Sequence, residues 1–227
     1  MSINIITVLF TDDEACVPEY CLNTYGPHWV DKMYRGFKRN CNEKFNFFCL
    51  VDKEYRFKEN VISVPLIQGE TGWLSLAEFW RPEICDGQRF CLGLDQIIMG
   101  DVTDILSTEG DLIVCKDPHN TRRLANAVIT VSKNKCKELW PLWQKDLKER
   151  PETLMFHGKV SEMQFLRNYY GLDRVRAFED LFPNRVLSYK AHLHPYPDKI
   201  KGCSIAYFHG RPRPSDDILT EVKKHWI

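Results

Sequence analysis

Two residues that are far apart in the chain, Asp95 and His209, have the types and surroundings to hold a divalent metal ion together. Asp95 follows the apolar run Phe90–Leu94, and a carboxylate at the end of a buried strand is costly to desolvate unless a cation or hydrogen-bond donors meet it there. His209 follows a second apolar run, Ser204–Phe208. Manganese prefers oxygen ligands and tolerates imidazole, so this pair suits it. Taken alone, Asp95 is equally open to a turn or cap role, and His209 favours a hydrogen-bonded surface role over that of a ligand.

The segment after His209 carries fixed positive charge. Gly210 permits close approach of the backbone to a phosphate, and the next residues are Arg211 and Arg213, each followed by a proline that stiffens the loop. Backbone amides, cationic side chains and divalent cations all stabilise a leaving group that becomes negatively charged. The segment therefore suits the binding of a diphosphate.

Alternating strand and helix patterns predict the α/β class, with a mostly parallel central sheet flanked by helices in a single domain over residues 1–227. Ligands bind such sheets at the carboxyl ends of the strands, where Thr11-Asp-Asp13 and Asp52 follow two predicted strands. The predicted strands are Ile3–Phe10, Phe45–Val51, Val61–Pro65, Phe90–Leu94, Asp111–Cys115, Ala127–Val131 and Ser204–Phe208, and the segment Val186–Lys190 is left unassigned. The predicted helices are Trp29–Arg39, Trp73–Trp80, Lys135–Glu149 and Ser161–Tyr170, and Gly69–Gly72 is a predicted loop.

Composition limits the partners and the compartment. The 31 basic and 31 acidic side chains balance, which argues against a general attraction to nucleic acid or to anionic membranes. Nine cysteines without a Cys-x-x-Cys pair are typical of free thiols in a reducing cytosol. No signal peptide and no segment of about 20 apolar residues is recognisable. We therefore expect a cytoplasmic protein, in the host cytoplasm if it is viral, without membrane insertion.

Several short segments, in order along the chain, resemble motifs of small bacterial and phage glycosyltransferases with the GT-A fold. Each motif is common by chance, and it is their order and spacing that carry the resemblance. In Gly93-Leu-Asp95 a glycine replaces the first carboxylate of the Asp-x-Asp motif, and Leu76 stands where a lysine is frequent. The segments are Tyr34-Arg-Gly-Phe-Lys-Arg-Asn40, Gly72-Trp-Leu-Ser-Leu-Ala-Glu-Phe-Trp-Arg-Pro82, Gly93-Leu-Asp95, Gly100-Asp101, Asn126-Ala-Val128, Ser161-Glu-Met-Gln164 and Phe208-His-Gly-Arg-Pro-Arg-Pro214.

The resemblance implies a role for each matching residue. It implies that Asp95 and His209 hold Mn²⁺ or Mg²⁺, and that Glu162 and Gln164 lie near the acceptor or the sugar hydroxyls, together with Asn126 on the acceptor side. It also implies a nucleotide-sugar donor, with a UDP-sugar preferred. The residues that would bind this donor are Thr7, Thr11, Asp52, Arg35, Gly210, Arg211 and Arg213.

Gly93 and Leu76 leave three possibilities open, because losing an anionic oxygen ligand weakens a site for a hard cation. In the first, the metal site is weak and completed by water. In the second, the enzyme needs no metal and uses Arg211, Arg213 or the Arg35–Lys38 region. In the third, catalysis has been lost.

The expected reaction is transfer of a sugar to a hydroxyl, with retention favoured because the Phe208–Pro214 motif resembles that of retaining members. The acceptor is a glycan or a hydroxymethylated pyrimidine in phage DNA; basic residues concentrated in residues 122–148 keep DNA open. The non-enzyme alternative is a catalytically degenerate protein that binds a sugar nucleotide or nucleic acid. A nucleotidyltransferase is disfavoured, since the acidic Asp12–Glu14 stands where its phosphate loop needs amides and positive charge.

Overall fold

The computed structural model describes residues 3–11, 25–68 and 72–227 of the chain. The acidic Asp12–Glu14 segment and most of the predicted loop at Gly69–Gly72 lie outside these residues.

The strands in the described part of the chain follow the predicted order, with several additions. They are β1 (Ile3–Leu9), β2 (Phe45–Val51), β3 (Ile62–Pro65), β4 (Arg89–Leu92), β5 (Gln96–Ile98), β6 (Leu112–Asp117), β7 (Asn120–Val131), β8 (Met155–Phe156), β9 (Lys159–Val160), β10 (Arg176–Ala177), β11 (Val186–Ser188) and β12 (Ile205–Tyr207). The α-helices are α1 (Pro27–Asn40), α2 (Thr103–Ser107), α3 (Lys133–Glu149), α4 (Glu162–Tyr169), α5 (Phe178–Leu181) and α6 (Thr220–Lys223). The 3-10 helices are Trp73–Trp80, Pro151–Leu154 and Pro197–Gly202, and Tyr189–Leu193 forms a π-helical turn.

A seven-stranded central sheet confirms the predicted α/β class. Its order is β10-β6-β7-β4-β1-β2-β3. The neighbours β4, β1, β2 and β3 pair in parallel, as do β10 and β6, whereas β7 runs antiparallel to both β4 and β6. The carboxyl ends of β1, β2 and β4 therefore meet at one edge of the sheet, where open α/β sheets bind ligands.

The two faces of the sheet are covered by different elements. Because side chains alternate along a strand, Ile5 and Leu9 of β1 pack with Trp29 and Phe37 of α1 on one face. Ile6 and Val8 belong to a cluster on the other face, which contains the buried aromatic side chains Trp80, Trp143 and Phe165. These come from the Trp73–Trp80 helix, α3 and α4, so helices flank both faces, as predicted.

A second, three-stranded sheet with the order β11-β12-β5 was not predicted. β11 and β12 pair in parallel, while β5 pairs with β12 in antiparallel fashion. The small sheet lies against α1, where a Cβ on Gly36 would be 3.1 Å from the Ile98 side chain. One apolar cluster includes Ile5 of the central sheet and Ile205 of the small one, in keeping with the single-domain prediction.

In the described residues no helix is both long and apolar enough to cross a membrane.

Candidate active site

The first group of site residues lies where β1 and β2 end, and we call it the Asp52 end (Thr11, Asp52 and Tyr55). The backbone N–H of Thr11 donates to Asp52 Oδ2 at 2.9 Å, and the Tyr55 hydroxyl donates to Oδ1 at 2.9 Å. Burial alone would raise the pKa of Asp52, but these hydrogen bonds outweigh it and lower the pKa. Asp52 is thus an ionised acceptor with a fixed orientation. Thr7, by contrast, is fully buried within β1.

The second group lies beyond β4 and at one edge of the small sheet, and we call it the Asp95 end (Asp95, Lys190, His209 and Arg213). Asp95 lines a cleft together with Leu9 at the end of β1 and Gly93. Its Oδ2 accepts a hydrogen bond from Arg213 Nη1, and the Arg213 side chain is only 4% exposed against 20% for Asp95. Burial raises the pKa of Asp95 and the guanidinium partly offsets this rise. The predicted diphosphate ligand Arg213 is therefore the ion-pair partner of the predicted metal ligand.

Strand pairing brings His209 next to Asp95. Tyr207 of β12 pairs with Gln96 of β5, and the next backbone bond joins the N–H of Phe208 to the carbonyl of Asp95 at 3.0 Å. His209 Nε2 shares a hydrogen bond of 2.9 Å with Ser188 Oγ. Burial, followed by the charge of Lys190, lowers the pKa of His209 to about 4, so its imidazole is neutral at pH 7.

The sequence predicted that Arg211 binds the diphosphate, but the charge of this arginine is neutralised by a neighbouring carboxylate. Arg211 Nη1 lies 2.7 and 2.9 Å from the two carboxylate oxygens of Asp216. The same carboxylate accepts the backbone N–H of Arg213 at 2.8 Å. Gly210 has φ of +69°, a conformation that favours glycine.

Lys190 is the functional candidate that the sequence reasoning missed. It lies beside Gly210, since its Nζ is 3.5 Å from the position that a Cβ on Gly210 would occupy. Like Asp52 and Asp95, Lys190 comes shortly after a strand end, so the rule that identified those two residues applies to it as well.

On the predicted acceptor side, the half-buried Asn126 pairs with the buried Glu162. Asn126 Nδ2 donates to Glu162 Oε1, and Glu162 is 1% exposed. Burial raises the pKa of Glu162 to about 7, because the hydrogen bond from Asn126 offsets only part of the desolvation. Among the described residues nothing donates a hydrogen bond to its second oxygen, Oε2. A carboxyl group in this state can hold or release a proton near neutral pH.

Two predicted site residues are held elsewhere by their own contacts. Gln164 donates to Asn168 on its own helix at 2.8 Å, and residues two apart on a helix do not face each other, so it does not join Glu162. Arg35 Nη1 lies 3.1 Å from Glu59 Oε1, and its Nε donates to the carbonyl of Ile227. Neither side chain is part of the cleft at Asp95.

The donor set at Asp95 does not fit a divalent cation. Arg213 holds the carboxylate, and position 93 lacks the second one, although a Cβ there would lie 3.2 Å from Asp95 Oδ1. His209 offers one imidazole whose Nε2 is bonded to Ser188. No group of three His, Cys, Asp or Glu side chains in the described ranges could hold a metal ion. The expected Mn²⁺ or Mg²⁺ site is therefore not assembled, and we derive no step through a metal.

Comparison with solved structures shows glycosyltransferases with the same architecture. No protein-family model matches the chain, and no curated protein matches it in sequence. The glycosyltransferase GlyE of Streptococcus pneumoniae TIGR4 superposes with a TM-score of 0.66 at 14% identity, covering 99% of this chain and 59% of GlyE. The galactosyltransferase LgtC, solved with donor and acceptor sugar analogues, gives 0.62 at 9% identity, with 94% and 89% covered.

An active-site mutant of LgtC gives the same TM-score of 0.62 at 11% identity. The chain thus spans about three fifths of GlyE but nearly the whole of LgtC. At these identities the likeness concerns the fold. The chain has the GT-A fold of these glycosyltransferases.

Proposed function

We propose that the chain is a glycosyltransferase that moves a sugar from a nucleoside diphosphate sugar to an acceptor hydroxyl. The observation that carries the proposal is the cleft at Asp95. It lies at the carboxyl ends of β1 and β4, and it is lined by the degenerate motif residues Gly93 and Asp95 together with Arg213. This is the edge of an open α/β sheet at which ligands bind, in a fold shared with glycosyltransferases.

The donor extends from the Asp52 end to the Asp95 end in this proposal. Asp52, ionised and fixed by Thr11 and Tyr55, accepts hydrogen bonds from the nucleoside, for which we prefer uridine. The diphosphate then lies at Gly210 and the basic side chains near it. Bond cleavage leaves negative charge on the diphosphate, and preorganised amides and cations stabilise that charge.

The acceptor approaches from the side of Asn126 and Glu162. Glu162, with its pKa raised to about 7, orients an acceptor or sugar hydroxyl through its oxygen Oε2. The resemblance of Phe208–Pro214 to retaining glycosyltransferases leads us to propose retention at the anomeric carbon.

The basic residues near the acceptor side fall into two groups. Three of the five lysines of α3 form ion pairs: Lys133 with Asp86, Lys135 with Glu138 and Lys145 with Glu149. Arg122 and Arg123 are instead exposed on β7, next to the β6–β7 turn whose His119 ring lies 5.2 Å from that of His209. This exposed charge beside the cleft supports hydroxymethylated pyrimidine in phage DNA, alongside a glycan, as the acceptor.

We also propose a cytoplasmic location. The support is chemical, since the cysteines in the described ranges are free thiols, as is usual in reducing compartments.

A second candidate function is a catalytically degenerate protein that binds a sugar nucleotide. The favouring observation is that Gly93 and Leu76, which replace a carboxylate and a lysine of the motifs, both line the cleft. Such a protein would bind UDP but turn over no donor.

The test is release of UDP from a panel of UDP-sugars, with and without candidate acceptors, by the wild type and by Asp95→Asn. Asp180→Asn is the matched control, because Asp180 is exposed and ion-paired with Lys116. We expect one donor to be hydrolysed by the wild type and the control but not by Asp95→Asn. UDP binding without turnover of any donor, acceptors included, would favour the second candidate.

A further inference from the structure

We propose that Lys190 binds the diphosphate of the donor and supplies the positive charge that a divalent cation would otherwise bring to the leaving group. This inference rests on the proposed function and names a residue that no sequence motif marks.

The topology of the small sheet places Lys190 at the diphosphate. β11 and β12 are parallel and in register, with Ser188 opposite Tyr207. Lys190 and His209 each come two residues after the end of their strand, so both follow the same sheet edge. β5 runs in the opposite direction, and Asp95 directly precedes it. Three chain segments thus bring Lys190, His209 and Asp95 to one place.

The turn that carries Lys190 is anchored to the site. Ser188 Oγ accepts the backbone N–H of Ala191 at 3.1 Å and shares a hydrogen bond with His209. The π-helical turn Tyr189–Leu193 follows, and such turns are frequent at functional sites. The position of the lysine backbone is therefore fixed relative to His209, while its long side chain stays exposed.

The charge balance of the site singles out Lys190. Asp95 compensates Arg213, and Asp216 compensates Arg211. No carboxylate of the described residues forms an ion pair with Lys190, whereas both arginines of the loop have one. Lys190 is thus the cation beside Gly210 that is available to an anion.

Gly210 provides the space for that anion. Its φ of +69° and its missing side chain leave a gap between its backbone and Lys190 Nζ, which is 3.5 Å from the absent Cβ. A phosphate oxygen in this gap would contact the ammonium group and the backbone together, the combination that anion sites use.

The experiment measures binding of UDP and of uridine in EDTA by calorimetry, for the wild type, Lys190→Ala, Lys190→Arg and Lys137→Ala. Lys137 is a matched control because it is an exposed lysine on α3, outside the site. We expect Lys190→Ala to bind UDP about 10- to 100-fold more weakly, as for the loss of a charged hydrogen bond. Uridine affinity should stay unchanged, Lys190→Arg should retain most of the UDP affinity, and Lys137→Ala should equal the wild type.

Three results would overturn the inference: equal UDP affinity of Lys190→Ala and the wild type, an equal loss for UDP and uridine, or wild-type binding of UDP that appears only when Mn²⁺ is added. Absence of UDP binding by the wild type in either condition would overturn it as well. The proposed function fails separately, when UDP binds through Lys190 but no donor is turned over.

Discussion

The Asp52 end and the Asp95 end each place a carboxylate at the edge of a sheet, yet the pKa values of the two carboxylates are shifted in opposite directions. Asp52 accepts hydrogen bonds from neutral groups, Thr11 and Tyr55, and its pKa is lowered. Asp95 is paired with a buried guanidinium, and its pKa is nevertheless raised by burial. In the proposed function, this difference suits the Asp52 end to a neutral nucleoside and the Asp95 end to the diphosphate.

The largest effect is expected from breaking the ion pair at the Asp95 end. Asp95→Ala leaves the Arg213 charge buried without its carboxylate, so we expect the free energy of unfolding to fall by about 3 kcal/mol and donor turnover to fall about 100-fold or more. Urea denaturation and UDP release measure the two effects. The double variant Asp95→Leu, Arg213→Met should recover stability but not turnover; a double variant as unstable as Asp95→Ala would contradict the role of the buried charge.

The next largest effect is expected at Glu162, which makes the free energy of unfolding depend on pH. Its pKa rises from the ordinary 4.5 to about 7 on folding because of burial. The folded state therefore holds a proton that the unfolded state releases, and stability is lost as pH rises from about 4.5 to about 7. The loss is roughly 3 kcal/mol.

Glu162→Gln cannot ionise, so this part of the pH dependence should disappear. Urea denaturation at pH 5 and pH 8 would check it in both proteins. The same decrease in wild type and variant would show that another group is responsible.

A smaller effect at the Asp52 end separates the two regions directly. Asp52→Asn replaces an ionised acceptor, so uridine should bind about tenfold more weakly, equivalent to about 1.4 kcal/mol. Affinity for inorganic pyrophosphate, which we expect to contact only the Asp95 end, should not change. Calorimetry with the two ligands measures this, and a parallel loss for both would mean that the ends do not act separately.

The smallest effect is expected at Arg35. It is bonded to Glu59 and to the carbonyl of Ile227, with a third of its side chain exposed, so Arg35→Ala should leave UDP affinity unchanged. Its stability cost should stay below about 1 kcal/mol, as for other exposed ion pairs. A marked loss of UDP affinity in calorimetry would show that Arg35 contributes to donor binding, against this expectation.

The sequence predicted the central sheet well because its strands are long apolar runs and its parallel order follows from strand and helix alternation. It also placed Asp52 and Asp95 just after strands, since polar residues after buried strands are conspicuous; their roles in binding stay predictions. The second sheet was not predicted, although the strand Ser204–Phe208 was, because β5, β11 and β12 have only three residues each and pair through tertiary contacts.

The pairing of Asp95 with Arg213 joins residues 118 positions apart, and no local pattern encodes such a contact. Lys190 was missed for a related reason. Its neighbour Gly210 comes from a different strand, and only the register of β11 with β12 brings them together.

The most direct test of the account is the rate of UDP release from the preferred donor by the wild type in EDTA and in Mn²⁺, compared with Gly93→Asp. This variant would place a second carboxylate beside Asp95, where a Cβ lies 3.2 Å from Oδ1. We predict equal wild-type rates in the two conditions, because Lys190 supplies the positive charge, and a metal-dependent rate only in Gly93→Asp. A wild-type rate that is lost in EDTA and restored by Mn²⁺ would contradict the account.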